Sequence, residues 1–425
     1  MTSRALRFKV LLVVAVGASG FAGQFNELSA STAGDDVWRA DTVSPIVGMA
    51  PIDSTVSGDT VLAVDNGQSV DSVAKKRNFI QKIVNYFEES NKPKPEKKFD
   101  ISFIGGPSYS NDTKLSLGLL GAGLYKSVPF DPETPQSNVS LYSDFSITGF
   151  YLIGIKGDHI GPKDSYRVHY KVYFNSFPSK FWGIGYDEAR HDDNETEYLQ
   201  LNSELKADIE FKVAENLYIG PAAHFNYAKA KDNDDWRLWN GESLRTTNYG
   251  LGFNLSYDSR DDINNAYSGW HVGLQQRFYP RFMKNSYCFS STDFNVNHYF
   301  GVWSGGVLAC RLHSLFTYGD TPWPMLATIG GSHTMRGYYE GRYRDKCAID
   351  ATVEIRQHVY HRNSVVAWIG AGEVFPSFDE LRTKKILPNF GVGYRWEFKK
   401  RVNVRLDIGF GRGESGVVFN INEAF

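Results

Sequence analysis

From Phe99 to the end of the sequence, side chains alternate between apolar and polar with a period of two, in runs of about ten residues. Between Arg401 and Phe410 the alternation is strict: Val402, Val404, Leu406, Ile408 and Phe410 against Arg401, Asn403, Arg405, Asp407 and Gly409. Tyr166, Val168, Tyr170, Val172 and Phe174 form a second such series, and Phe390, Val392, Tyr394, Trp396 and Phe398 a third. Successive side chains of a strand point to opposite faces, so each run has one apolar and one polar face. Run length then separates two all-β classes, because soluble strands average about 5–6 residues and a tilted strand crossing an outer membrane needs about 9–11. Alternation alone does not separate them, since a soluble barrel has the same period with its apolar face inward. The length predicts an antiparallel transmembrane β-barrel over residues 98–425, with Arg401, Arg405 and Asp407 facing the lumen. An Arg turned to lipid near the midplane would cost about 2–4 kcal/mol.

Residues 99–425 divide into about sixteen such strands, an even number that places both barrel ends on the periplasmic side. Short turns such as Lys399-Lys400-Arg401 alternate with polar stretches at Ser176–Thr196, Lys231–Ser243 and Asp320–Lys346, which are expected to face outside. His191-Asp192-Asp193 and Asp232–Asp235 are acidic but lack a cation-ligand spacing, so they read as solvated loop tips and no metal is expected.

Composition agrees with this class. Forty-six basic against 48 acidic residues exclude the basic surplus of a nucleic-acid binder, and 42% hydrophobic with 15% aromatic residues excludes disorder throughout. The most apolar later stretch, Phe300–Tyr318, contains Arg311 and His313, so no helical span is predicted. Cys288 and Cys310 fall on adjacent predicted strands, leaving open a cross-strand bridge or, as so sparse a set favours, free thiols; Cys347 is the third.

Before the barrel the sequence has three parts. Residues 1–23 have the order of a secretory signal peptide: Arg4, Arg7 and Lys9, then an apolar run from Val10 to Val16, then small residues up to Gly23. Residues 24–70 read as a flexible acidic linker. Residues 71–97 read as a short amphipathic helix, with Ile80, Ile83, Val84 and Phe87 on one face, followed by a basic linker. Its surplus of Lys and Arg suits anionic headgroups, a docking site on the rest of the protein or a periplasmic partner, and a solvated basic face about equally well.

Three resemblances follow from short motifs. Asp41-Thr42-Val43, Asp53-Ser54-Thr55, Asp59-Thr60-Val61 and Asp71-Ser72-Val73 resemble the O-glycosylation signal of exported Bacteroidetes proteins, although chance supplies such triplets equally well. Met335-Arg336-Gly337-Tyr338, between predicted strands eleven and twelve, resembles the (V/I)-R-G-(F/Y) signature in the sixth extracellular loop of the BamA/TamA superfamily, the bacterial surface-antigen barrels. Asp258-Ser259-Arg260-Asp261, followed by Ser268-Gly269, resembles that family's D-T-R-D turn before the ninth strand.

The resemblance implies that the loop folds into the lumen and that Arg336 meets an inward acid on the next strand, at Glu354. Parity agrees, since Asp350, Thr352, Glu354, Arg356 and His358 share the polar face of their strand. The other reading of Arg336-Gly337 is an exposed loop turn. The family's F-x-D-x-G motif stands here as Trp368-Ile369-Gly370-Ala371-Gly372, with Gly370 in the acidic position, so the lock is expected to rest on Glu354 alone. Phe419, Ile421 and Phe425 resemble the C-terminal assembly signal of such barrels, a series interrupted by Glu423.

By the same resemblance the chain assists outer-membrane protein assembly or polypeptide export, with outer-membrane lipids around it and unfolded outer-membrane or exported polypeptides as candidate partners. Family members receive substrate on periplasmic polypeptide-transport-associated (POTRA) domains, whereas Gly23–Lys97 reads as a linker and one helix. The alternative is a passive channel or structural barrel. No cofactor or catalytic residue is expected: in His313-Ser314 and Ser332-His333 neighbouring side chains on a strand would point apart, and no carboxylate stands at a recognisable spacing.

Overall fold

A computed structural model describes residues 11–12, 28–29, 99–110, 114–129, 131, 133–232 and 235–425. Apart from two dipeptides, the expected signal peptide, acidic linker and amphipathic helix lie outside the described residues.

Sixteen strands follow: β1 (Phe99–Ser110), β2 (Lys114–Tyr125), β3 (Ser137–Ser146), β4 (Tyr151–Ile160), β5 (Tyr166–Phe181), β6 (Thr196–Ala214), β7 (Leu217–Lys231), β8 (Arg245–Asp258), β9 (Gly269–Tyr279), β10 (Phe289–Trp303), β11 (Gly306–Gly319), β12 (Cys347–Tyr360), β13 (Asn363–Phe375), β14 (Leu387–Lys399), β15 (Val402–Phe410) and β16 (Ser415–Ile421). Each pairs antiparallel with the next in sequence. Among the described residues no ladder joins β1 to β16.

Burial resolves what alternation left open, because the sheet is apolar outside and polar inside. Ile369 is 67% exposed and Phe390, Val392, Leu406 and Ile408 are exposed beside it, whereas Glu354, Arg405 and Asp407 are fully buried on the opposite face. A soluble barrel would show the reverse. Apolar side chains facing outward and charged ones facing a shared interior match the two solvents of a membrane barrel.

The long connections are not the polar arms that their composition suggests. β5 continues to Phe181, which pairs with Thr196, so the stretch expected to be loop from Ser176 begins only at residue 182. The extension is held by packing: Phe181 stacks on Trp239 at 4.2 Å in a cluster with Tyr198, Trp323 and Leu326. A second cluster joins Trp182 and Tyr186 to Ile329, Met335, Tyr338 and Tyr343. Burying such side chains stabilises by about 1.5–3 kcal/mol each, enough to hold residues 182–195, 235–244 and 320–346 together at their end of the sheet. The acidic loop tips stay at the surface as expected: Asp192 is exposed while accepting from Arg342 at 2.6 Å, and Asp235 accepts from its exposed neighbour Arg237. Cys288, Cys310 and Cys347 are free thiols.

Candidate functional site

One cross-strand row organises the interior. Tyr299, Ala309, Glu354, Trp368, Gly391, Gly409 and Gly416 are successive register partners from β10 to β16. The three glycines leave a trough beside the Trp368 ring, which itself covers Gly391. Loop 320–346 enters it through a two-residue ladder, Ala327–Thr328 against Arg344–Asp345, and lays Arg336 and Gly337 on the row. Gly337 has φ 112°, and a Cβ there would stand 2.7 Å from the Gly409 carbonyl oxygen. Glycine alone meets both the dihedral and the approach.

Arg336 is 2% exposed, which corrects the exposed-turn reading. Its guanidinium donates to the Glu354 carboxylate and, at 2.7 Å, to Asp407, and lies 3.6 Å from the Trp368 ring centroid. Glu354 is therefore not its sole acidic partner. Gly370 brings no acid, and Asp407, two strands further along, supplies the second carboxylate. A forked guanidinium can serve two acceptors at once, so the acid need not come from the neighbouring strand. Around this pair Arg356 donates to Glu354 at 2.8 Å, Arg395 and Arg405 donate to Asp407, and Arg405 also holds the Ser332 carbonyl of the loop. Asn389 donates both to the Arg336 carbonyl and, at 3.3 Å, to that of Phe410. Met335, at φ 43°, closes the turn and is buried; Tyr338 donates from its hydroxyl to Pro388 O at 2.7 Å. Gly372 leaves room for Ile329 of the loop, which a Cβ would meet at 3.2 Å.

At the opposite end Asp258 accepts from Arg167 at 2.6 Å and from Arg260 at 2.8 Å. Asp261 receives Arg401 of the β14–β15 turn at 2.9 Å, and Gly269 at φ 102° packs against Ser259, where a Cβ has no space. This turn thus links two hairpins across the rim.

The C-terminal segment departs from expectation. Phe419 and Ile421 pair with Leu406 and Val404 in the sheet, but the chain leaves it at Asn422, φ 69°, and the Phe425 ring joins Ala266, Tyr299 and Ala309 inside. Phe425 therefore does not continue the outward series of β16. Continuing the strand would turn Glu423 to lipid; the inward turn places it against Arg395 at 2.8 Å and Asn403 instead.

Residues 160–406, more than half of the chain, match the family model described as the Omp85 superfamily domain. The chain belongs to the Omp85 superfamily. It is accordingly a barrel of the Gram-negative outer membrane, in a family of transporters and insertases rather than enzymes. Among solved structures, BamA from Haemophilus ducreyi lacking POTRA domains 1-3 shares the fold at a TM-score of 0.50 and 12% identity, covering 77% of this chain and 70% of that one. CdiB from Escherichia coli is similar at a TM-score of 0.49 and 10% identity, covering 78% and 63%, so this chain spans less than two thirds of that protein. No curated protein sequence matches.

Sequence reasoning missed Asp407 as a partner of Arg336, and missed Asn389 and the glycine row altogether. The available signal was small residues at inward positions of the last three strands, Gly391, Gly409 and Gly416, a pattern that leaves a wall without side chains.

One loop contact of this Omp85 barrel is sensitive to pH. Glu414, between β15 and β16, accepts the Tyr339 N–H at 2.7 Å and faces Arg342 at 3.1 Å. Burial outweighs both and pushes its carboxyl from the ordinary 4.5 up to about 7. A raised folded value means that the contribution is complete below the unfolded value and is lost as pH rises through about 7. The thermal midpoint should fall as pH rises across that window, and Glu414→Gln should flatten the slope.

Proposed function

We propose that this Omp85-superfamily barrel assists outer-membrane protein assembly or polypeptide export, with loop 320–346 setting whether its last strands are held in place. The observation that carries this reading is the seat of Arg336-Gly337 on Gly409 and Gly416: the loop rests on the hairpin that ends the sheet, where parting of the wall would open a lateral exit for a polypeptide. Residues 71–97 would then meet incoming polypeptide or a periplasmic partner on the way to β1. The aromatic clusters that bind the long connections to one another at one end of the sheet disfavour a passive channel.

The test is quantitative outer-membrane proteomics of a deletion strain, complemented with wild type or with Arg336→Ala. Selective loss of other barrels or surface proteins, restored by wild type alone, is the expected result. An unchanged proteome, together with large steady openings in planar bilayers, would replace this reading with the channel.

A further inference from the structure

Loop 280–288, between β9 and β10, carries a feature that neither the interior network nor the proposed role uses. Its residues Arg281-Phe282-Met283 make a single 3-10 turn, closed by Lys284 in the left-handed region at φ 67°. Phe282 is 84% exposed, the highest value among the large apolar side chains of the described residues. Arg281 and Lys284 are exposed on either side of it. The loop contains no acidic residue, and among the described residues no carboxylate stands within ion-pair distance of either base.

This is not a loose tip. Asn285 is buried and its side chain accepts the Tyr249 N–H at 2.7 Å while donating to Tyr249 O at 2.9 Å and to Pro280 O at 3.0 Å. Tyr249 lies two residues beyond the last β8–β9 pair, Leu251 with Phe278, so Asn285 takes the place of a ladder residue and keeps the loop in line with the wall. The long loops 182–195 and 320–346 pack into buried clusters that this one does not enter; its far end meets their neighbours through Tyr287, which accepts the Ser243 N–H at 3.3 Å, and Cys288 O, which accepts the Asp320 N–H at 3.1 Å. Below it the membrane-facing surface continues through Tyr249 and Phe278, both exposed. An aromatic side chain on such a rim enters the headgroup region, and bases beside it reach the charges there.

We infer that loop 280–288 is a binding site for phosphate-bearing lipid headgroups of the outer leaflet, with Phe282 inserted among the lipids and Arg281 and Lys284 contacting phosphate. The occupant is lipid because the loop continues an established lipid-facing wall and offers two bases with no carboxylate of the described residues within ion-pair distance of either, the nearby Glu242 facing Tyr287 instead. The inference rests on the outer-membrane location and is independent of the assembly or export role.

The test is native mass spectrometry of the full detergent-solubilised protein titrated with bis-phosphorylated lipid A, with dephosphorylated lipid A and with inorganic phosphate. Each base near an anionic surface is worth about fivefold, so Arg281→Ala/Lys284→Ala should weaken lipid A retention about 25-fold. Phe282→Ala should weaken it as well, and both variants should keep the heat-modifiable migration of a folded barrel. Dephosphorylated lipid A should bind wild type as poorly as lipid A binds the double variant, a comparison that needs no variant to fold. Equal retention by wild type and the double variant would overturn the inference. Equal retention of both lipids would overturn it too, as would competition by inorganic phosphate at the same affinity, which would mean a free-anion site.

Discussion

Replacing Arg336 with Ala is expected to unseat loop 320–346 while leaving the sixteen-stranded wall intact. The substitution removes both donors to Glu354 and Asp407 and the cation lying over Trp368. Breaking one side of a buried ion pair costs about 3–5 kcal/mol, because the stranded charge keeps its desolvation penalty. Arg356 still serves Glu354, and Arg395 and Arg405 still serve Asp407, which places the cost toward the lower end of that range. Loss of stacking on Trp368 adds about 0.5–2 kcal/mol. In intact cells, protease should cut within loop 320–346 of the variant and spare wild type, while both migrate as folded barrels. Arg336→Lys should recover only part of the protection, since an ammonium is a single point charge and cannot span two carboxylates as a fork. Equal protection of wild type and Arg336→Ala would show that the ion pairs do not hold the loop.

Gly409→Ala should have an effect of similar size through sterics alone. The added methyl would fall on the Arg336 carbonyl oxygen and stand 2.9 Å from the Gly337 nitrogen, and all of these neighbours are backbone. No rotamer change relieves such a contact, so either the loop lifts or β15 moves away from it. Because the charge of Arg336 is untouched, this variant separates seating from electrostatics. If both substitutions release the same loop, the double variant should be scarcely worse than either single one, a coupling of neighbours rather than a sum. Additive losses would mean that glycine and arginine hold different parts of the protein.

Much of this site was legible from residue order. The strict alternation in Arg401–Phe410 and the run lengths led to the barrel, strand parity put Glu354 on the inner face, and the loop motif singled out Arg336. These are properties of one strand or one short motif. The second acid was not legible: Asp407 was recognisable as inward, yet its meeting with Arg336 depends on where the loop crosses β13 to β15. The seat was hidden for the same reason. Gly391, Gly409 and Gly416 are separated in sequence by strands and turns and become one trough only when β14, β15 and β16 take their stagger.

Two other features changed meaning in three dimensions. Loop stretches that look polar by composition carry Trp182, Tyr186, Trp239 and Trp323 into a packed cap, because scattered aromatics from separate loops bury area only against one another. Glu423, which breaks an apolar series when read along the strand, becomes an ion-pair partner once Asn422 turns the chain inward. The sequence by itself determined the strand period, a count of about sixteen strands, the apolar and polar faces of each strand and which loop carries the arginine. Only the tertiary structure decided what that arginine holds and where its loop rests, because a period of two specifies the faces of a strand but not its stagger against its neighbours, and stagger sets which side chains meet.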